Sequence, residues 1–188
     1  MVLTGTYPRS LDDKLRFAFP RGLRQQLTDD ASSGLFLAPG MDGSLVLYPR
    51  QAFEQLARRV AAASPTGKAV RAFSRLFYGQ AQACEFDRQG RLRLPTELAT
   101  WAGLSKEIVL VGVRDSIEIW DAAGWARFRE SLADSFDRIA EQALTAGDDD
   151  FGFAAPIERS IEAGTDPPSV VDRRDDSESA LDSPRQPR

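Results

Sequence analysis

Histidine is absent from this chain of 188 residues, and cysteine occurs once, at Cys84. Without histidine the chain has neither a Ser-His-Asp triad nor a Cys-His nucleophile pair, and it lacks the commonest zinc ligand. A single cysteine excludes an intrachain disulfide framework. We therefore exclude triad hydrolases and metal-dependent hydrolases, and we expect neither a cofactor nor a bound metal.

Long hydrophobic runs are also missing. No stretch approaches the roughly 18 consecutive apolar residues of a membrane-spanning helix. The N-terminal sequence MVLTGTYPRSLDDK has no basic region followed by an apolar one, which is the pattern of a signal peptide. Apolar residues nevertheless make up 42% of the chain, which is typical of a folded protein. We expect a cytoplasmic protein without a membrane partner.

Acidic charge is concentrated at the C-terminal end. From Asp148 onward there are 11 acidic and 5 basic residues, a balance of −6, whereas residues 1–147 hold 17 acidic and 19 basic ones, a balance of +2. A mildly basic body binds DNA if its arginines gather on one face. The segment 148–188 is rich in Asp, Ser and Pro, which predicts a disordered tail. Its acidity either serves solubility or makes it an interaction tail that competes with DNA.

One short pattern occurs twice, 75 residues apart. Residues 12–20 read DDKLRFAFP and residues 87–95 read DRQGRLRLP. Each gives Asp, three residues, Arg, a short apolar-rich run and Pro. Each copy then continues with a helical segment, an apolar strand pair around a turn, and a second helix.

This order predicts an α+β fold of two tandem β-α-β-β-α repeats. We place the first repeat at 1–63, a connecting helix at 64–80, the second repeat with a long C-terminal helix at 81–147, and the tail at 148–188. Short strands leave edges that pair readily with a second copy. The two copies are therefore expected to close into a small barrel or an interlocked sheet.

The segment that follows Asp121 predicts one long helix with Asp121 at its N-cap. Apolar side chains recur along it at helical spacing and form a stripe: Trp125, Phe128, Leu132, Phe136 and Ile139. We expect this stripe, like the other apolar stripes of the chain, to pack in the core rather than to bind a cofactor.

The two Asp-x-x-x-Arg stretches carry the chemistry. If the chain turns at Gln89-Gly90, Asp87 can orient Arg91 through a charge-assisted hydrogen bond. An arginine held in this way presents its remaining donors in a fixed direction, which suits a guanine edge or a phosphate. The alternative is a pair that only stabilises a β-turn. Recurrence of the motif in both copies favours a fold signature that is also functional.

Several stretches resemble the MraZ family of bacterial transcriptional regulators, in the AbrB-like (SpoVT-AbrB) superfamily: GTYPRSLDDKLRFAFP, CEFDRQGRLRLP, GLSKEIVLVGVRDSIEIWD and LYPRQAF. The resemblance covers roughly residues 1–145. It implies an intramolecular swapped-hairpin barrel with flanking helices. It also implies a nucleoid-associated repressor of the division and cell-wall gene cluster that includes its own gene. Such proteins bind short direct repeats in double-stranded promoter DNA as rings of several subunits.

The resemblance also implies a set of DNA-facing residues: Asp12, Asp13, Lys14 and Arg16 in the first copy, and Asp87, Arg88, Gln89 and Arg91 in the second. Arg9 and Arg93 flank these positions and complete the candidate DNA-binding set. The family usually has a glycine where this chain has Leu15. If that position requires φ > 0, a leucine there costs on the order of 1 kcal/mol in backbone strain.

Two other functions remain as alternatives. A ring-forming protein-interaction scaffold with weakened DNA binding is suggested by Leu15 and by the acidic tail. An enzyme would use Asp12 and Asp13 as acid and base. Neighbouring carboxylates in a strand point to opposite faces, and the chain has no glycine-rich phosphate loop. We therefore expect no enzyme and no small-molecule substrate.

Overall fold

The structure, a computed structural model, describes residues 2–28, 34–62 and 67–145. The predicted disordered tail at 148–188 lies outside the described residues. The chain divides into two compact units, Met1–Gln142 and Ala143–Arg188. In the second unit the described residues are 143–145, which end the last helix.

The same succession of elements occurs in both copies. The first copy contains β1 (Thr6–Ser10), β2 (Arg16–Ala18), α1 (Arg21–Thr28), β3 (Leu35–Pro39), β4 (Leu45–Pro49) and α2 (Arg50–Ala62). Helix α3 (Lys68–Tyr78) leads to the second copy. That copy contains β5 (Gln82–Cys84), β6 (Arg91–Arg93), α4 (Thr96–Trp101), β7 (Glu107–Val113), β8 (Ser116–Asp121) and α5 (Ala122–Leu132). A 3₁₀ turn (Ala133–Ser135) and α6 (Phe136–Thr145) follow, and the α+β prediction is confirmed.

Six strands form one antiparallel sheet in the order β1-β7-β8-β4-β3-β5. The first strand of each copy pairs with the third strand of the other copy, β1 with β7 and β5 with β3. The equivalent strands β4 and β8 meet at the centre, where Val46 lies opposite Glu118. Each copy therefore depends on the other for the pairing of its first strand.

The strands β2 and β6 form a separate two-stranded antiparallel ladder. Its register pairs Arg16 with Arg93, Phe17 with Leu92, and Ala18 with Arg91. Phe17 and Leu92 are equivalent positions of the two copies, so a pseudo-two-fold axis passes between them. Flanking backbone hydrogen bonds follow the same symmetry: Phe19 N–H donates to Gly90 O at 3.2 Å and Leu94 N–H donates to Leu15 O at 2.8 Å.

The main core lies on the side of the sheet that faces this ladder. Phe17 and Leu92 belong to it and are 1% and 0% exposed. Leu37 of β3 also belongs to it, whereas the next residue, Ala38, belongs to a second apolar cluster with Leu56 and Phe77. Because side chains alternate along a strand, the two clusters lie on opposite faces of the sheet. The ladder thus buries one side and turns the other to solvent.

The predicted long helix after Asp121 is interrupted, so that prediction is wrong. Asp121 is the N-cap as expected, since its Oδ1 accepts hydrogen bonds from the N–H groups of Ala123 and Gly124, each at 3.1 Å. The helix gives way to the 3₁₀ turn after Leu132. The Ser131 hydroxyl donates to the Phe128 carbonyl at 2.8 Å. Ser and Asp residues, which also occupy the turn, compete with helical hydrogen bonding through such local bonds.

The apolar stripe of this segment is also only partly packed, contrary to the core position we expect from the sequence. Trp125 and Phe128 pack on Trp120, with ring centroids 5.5 and 4.9 Å away. No residue of the described helices α5 and α6 is fully buried, and Phe136 is 71% exposed. None of the helices in the described ranges has the length and apolarity that a membrane crossing requires.

We predict that Leu92→Ala lowers the free energy of unfolding by about 2–5 kcal/mol, because it removes a fully buried side chain and leaves a cavity in the ladder. Urea denaturation at one fixed protein concentration measures this. Leu76→Ala is the matched control, since Leu76 is 65% exposed on α3. Equal losses in the two variants would contradict the packing role of Leu92.

Candidate nucleic-acid interface

Each Asp-x-x-x-Arg stretch folds into a tight turn closed by an Asp–Arg clamp. Asp12 Oδ1 accepts from the backbone N–H groups of Lys14 and Arg16, both at 2.9 Å, and its Oδ2 accepts from Arg16 Nε at 2.8 Å. Asp87 accepts the equivalent three bonds, from Gln89 N–H at 2.8 Å, Arg91 N–H at 2.9 Å and Arg91 Nε at 2.8 Å. The predicted orientation of each arginine by its aspartate is confirmed in both copies.

The residue before each arginine has a left-handed backbone. Gly90 has φ = 72° and Leu15 has φ = 55°. Leu15 N–H donates to Asp12 O at 2.9 Å, as Gly90 N–H donates to Asp87 O at 2.8 Å. The Leu15 side chain also packs against the main core, which offsets a strain of about 1 kcal/mol. The first turn therefore keeps the shape of the second with a leucine at its left-handed position.

The clamps hold both carboxylates in the charged form. The hydrogen bond from the Arg16 side chain, followed by the one from the Arg16 backbone, lowers the pKa of Asp12 from 3.8 to about 2. The backbone N–H of Arg91, followed by its side chain, lowers the pKa of Asp87. Asp12 raises the pKa of Arg16 through its hydrogen bond, and Asp87 adds a smaller Coulombic contribution. The two clamps therefore interact electrostatically with each other.

The ladder places the arginines of both copies on one surface. Since Phe17 and Leu92 point inward, the residues beside them in each strand point outward. Arg16 faces Arg93 across the ladder, and Arg91 faces Ala18. We call this surface the arginine face: Arg16, Arg91 and Arg93 together with the turns 12–15 and 87–90.

The cations of the arginine face differ in their bonding. Arg9 of β1 is half-buried at its border and donates from Nε to Ala18 O at 2.9 Å and from Nη1 to Pro8 O at 2.6 Å. The exposed side chains of Lys14, Arg88 and Arg93 make no hydrogen bond or ion pair with another described residue. Uncompensated guanidinium groups on one surface attract anions.

All ten predicted site residues lie at or beside the arginine face. Asp12, Asp13, Lys14 and Arg16 occupy the first turn and the start of β2. Asp87, Arg88, Gln89 and Arg91 occupy the second turn and the start of β6, where Arg93 also lies, and Arg9 borders the face from β1. Among the residues that the structure describes, no group of three or more His, Cys, Asp or Glu residues could hold a metal ion.

Sequence reasoning missed the direct pairing of the two stretches across the ladder. The only available signal was the repeat itself, because equivalent positions such as Phe17 and Leu92 pair where a pseudo-two-fold axis passes. It also missed that Arg24 of α1 lies over the second turn. A Cβ atom at Gly90 would meet the end of the Arg24 side chain, which can move aside, so it is the left-handed φ that favours a glycine there.

These observations define a class of protein. The chain contains two tandem copies of one α+β unit, which share a sheet and present one arginine clamp each on a common exposed surface. Comparison with known families agrees with the duplication. Residues 2–76 and 77–147 each match the family described as "MraZ protein, putative antitoxin-like". The chain belongs to this family.

Curated relatives are similar over most of their length. "Transcriptional regulator MraZ" of Corynebacterium diphtheriae is 43% identical over 143 residues, which are 76% of this chain and 97% of that relative. Proteins of the same name from Limosilactobacillus reuteri and Thermomicrobium roseum are each 38% identical, over 74% and 77% of this chain and 96% and 99% of theirs. Residues 148–188 lie outside both matched copies.

We predict that the Asp12 carboxyl titrates near pH 2 in NMR spectra of the side-chain carboxyl groups. Because its folded pKa lies below the ordinary 3.8, the clamp contributes fully to stability above about pH 4 and loses that contribution as the pH falls through 2. Arg16→Ala should raise the midpoint toward 3.8, since it removes the largest cause of the shift. Arg93→Ala is the control and should leave the midpoint unchanged. An Asp12 midpoint of 3.8 in the natural chain would refute the clamp.

Proposed function

We propose that this protein is a sequence-specific DNA-binding transcriptional repressor whose arginine face contacts double-stranded promoter DNA. The observation that carries the proposal is the pair of geometrically equivalent clamps on one exposed surface. A clamped guanidinium is preorganised, so it loses less conformational freedom when it binds a phosphate or a base edge. The relatives named as transcriptional regulators make DNA the partner that fits this surface.

We also infer that the fold is an AbrB-like swapped-hairpin barrel. The exchange of first strands between the copies supports this, because β1 pairs with β7 and β5 with β3. The ladder of β2 and β6 adds a second crossing between the copies. In such an arrangement the arginine face belongs to neither copy alone.

The proposed target and location of the protein rest on its resemblance to the family. We propose that it is a cytoplasmic, nucleoid-associated protein that represses the division and cell-wall gene cluster containing its own gene. Short direct repeats in that promoter would each contact one arginine face. A single face offers few base contacts, each contributing about 1–3 kcal/mol of discrimination.

In a ring of several subunits, several arginine faces would bind the repeats at the same time, so that their weak contacts add to one affinity. Two surfaces support this assembly, and the first is an open groove of about 370 Å³ between α2 and α3. Its lining is mostly apolar and includes Val60, Val70 and Tyr78, with Arg71 and Arg75 beside them. The buried Tyr78 hydroxyl has no hydrogen-bond partner among the described residues.

The second surface is helix α6. Phe136, at its first turn, is 71% exposed. Asp137 of α6 complements the positive charge of Arg75 at the groove. We propose that α6 of one subunit docks in the α2–α3 groove of the next. Because the two surfaces differ, such contacts run head to tail, and they form a ring when the rotation between neighbouring subunits closes. A ring raises the effective concentration of each arginine face at a repeat.

The scaffold alternative loses one of its two supports. It was suggested in part by Leu15 in the first turn, but both clamps have the same hydrogen bonds. The enzyme alternative is also disfavoured, since both carboxylate oxygens of Asp12 already accept hydrogen bonds that fix the turn.

We predict that the full chain binds DNA from upstream of its own gene with a steep dependence on salt, because phosphate contacts release counterions. Arg91→Ala should weaken this binding by about 5- to 150-fold, since each arginine contact contributes about 1–3 kcal/mol. Gel-shift titrations at several salt concentrations measure both effects.

The control for net charge is Arg129→Ala, which removes an exposed arginine of α5 on the other side of the sheet. It should leave the affinity nearly unchanged. Salt-independent binding, or equal effects of the two substitutions, would overturn the proposal for the arginine face.

We predict that Phe136→Glu converts the ring into subunits of 20.7 kDa, because it places a charge in the apolar contact. Size-exclusion chromatography with light scattering measures the mass. Leu76→Glu adds the same charge at an exposed leucine of α3 that does not line the groove, and it should leave the ring intact.

Charge reversal tests the pairing of the two surfaces. Arg75→Glu and Asp137→Arg should each weaken assembly, and the double substitution should restore it. A double variant that assembles no better than the single variants would show that α6 does not occupy this groove.

A further inference from the structure

The pseudo-two-fold axis relates positions that carry different charges. Between residues 12 and 18 the charges are Asp12, Asp13, Lys14 and Arg16, which sum to zero. Between residues 87 and 93 they are Asp87, Arg88, Arg91 and Arg93, which sum to +2. The scaffold of the arginine face is symmetric, but its charge is displaced toward the second copy.

In the turns Asp13 is equivalent to Arg88 and Lys14 to Gln89, whereas within the ladder the charge differs at Ala18 and Arg93, which occupy equivalent positions 75 residues apart. Both are exposed, and the register gives each an arginine as its partner across the ladder. Arg93 makes no hydrogen bond or ion pair with another described residue, so its guanidinium carries a full set of unused donors. On the other side the equivalent position has only a methyl group.

Arg9 lies beside Ala18 but does not replace the missing guanidinium. Its Nε and Nη1 already donate to the carbonyl groups of Ala18 and Pro8. The position equivalent to Arg9 in the second copy is Cys84. On the side of the first copy Arg9 therefore has a structural role, whereas on the side of the second copy Arg93 is not bonded to another described residue. The two ends of the arginine face therefore differ in what they can donate to DNA.

We propose that the arginine face has a polarity, set by Arg93 against Ala18 in the ladder and by Arg88 against Asp13 in the turns, and that each DNA element is bound in one orientation. This inference rests on the proposed DNA-binding function and deepens it by naming a residue that determines specificity. A fully symmetric face would bind an asymmetric element equally well in both directions. Preference for one direction requires a difference in interaction free energy between them, and an arginine present at one end only supplies that difference.

The orientation of bound DNA can be measured with a DNA-cleaving reagent that is attached to one turn of the arginine face. In the full chain, the substitution Gln89→Cys provides a thiol on the second turn to which an iron–EDTA group is attached. Burial raises the pKa of Cys84 to about 12, so at neutral pH the reagent attaches to the introduced cysteine. The reagent-treated chain without Gln89→Cys controls for labelling of Cys84. The DNA probes are duplexes that the full chain selects from a random pool.

With Ala18 and Arg93 in place, we expect cleavage at one end of each selected element to exceed cleavage at the other end by about tenfold, the size of one arginine–base contact. The double variant Ala18→Arg/Arg93→Ala moves the free guanidinium across the axis without changing the net charge. On the same duplexes it should shift the cleavage excess toward the opposite end. Both positions are exposed, so the fold should be retained, and an unchanged urea midpoint checks this.

The outcomes separate this inference from the one on which it rests. Equal cleavage at both ends by the natural chain would overturn the polarity while DNA binding stands, and a pattern that the double variant leaves unchanged would overturn the role assigned to Arg93. If the random pool yields no bound duplex, the proposed function fails, and the polarity fails with it.

Discussion

The pairing of β2 with β6 is the constraint on which both the core and the arginine face depend. Phe17 and Leu92 meet at its centre and are almost fully buried. Because alternate residues of a strand point to opposite sides, burying these two forces Arg16, Arg91 and Arg93 outward. Packing of the interior therefore determines where the charges of the surface lie, and a slip by one residue would bury the arginines.

Placing several guanidinium groups on adjacent strands creates repulsion, which the two aspartates reduce. Each carboxylate neutralises its own arginine and also fixes the turn that precedes the strand. The same hydrogen bonds that order the backbone thus orient the side chain. Arg93 lacks such a partner among the described residues, so part of the positive charge remains available for an anion.

Sequence reasoning succeeded where the structure depends on neighbouring residues. The clamps lie within five-residue turns, and the Asp121 N-cap involves residues two and three positions away. It failed at the helix beyond Leu132, because apolar periodicity does not report the local hydrogen bond of Ser131 that accompanies the break. It also placed Phe136 in the core, although periodicity predicts an apolar face without saying what covers that face.

The sequence by itself determined the duplication, the α+β class, and the partnership of each aspartate with its arginine, since all of these arise from patterns or contacts within a few residues. Only the tertiary structure decided that the two stretches are neighbours, that Arg16 faces Arg93, and that Ala18 occupies the equivalent place to Arg93 on one shared surface. These relations join residues about 75 positions apart. They arise because strands of one copy pair with strands of the other copy. Local sequence does not specify which strands pair across the two copies.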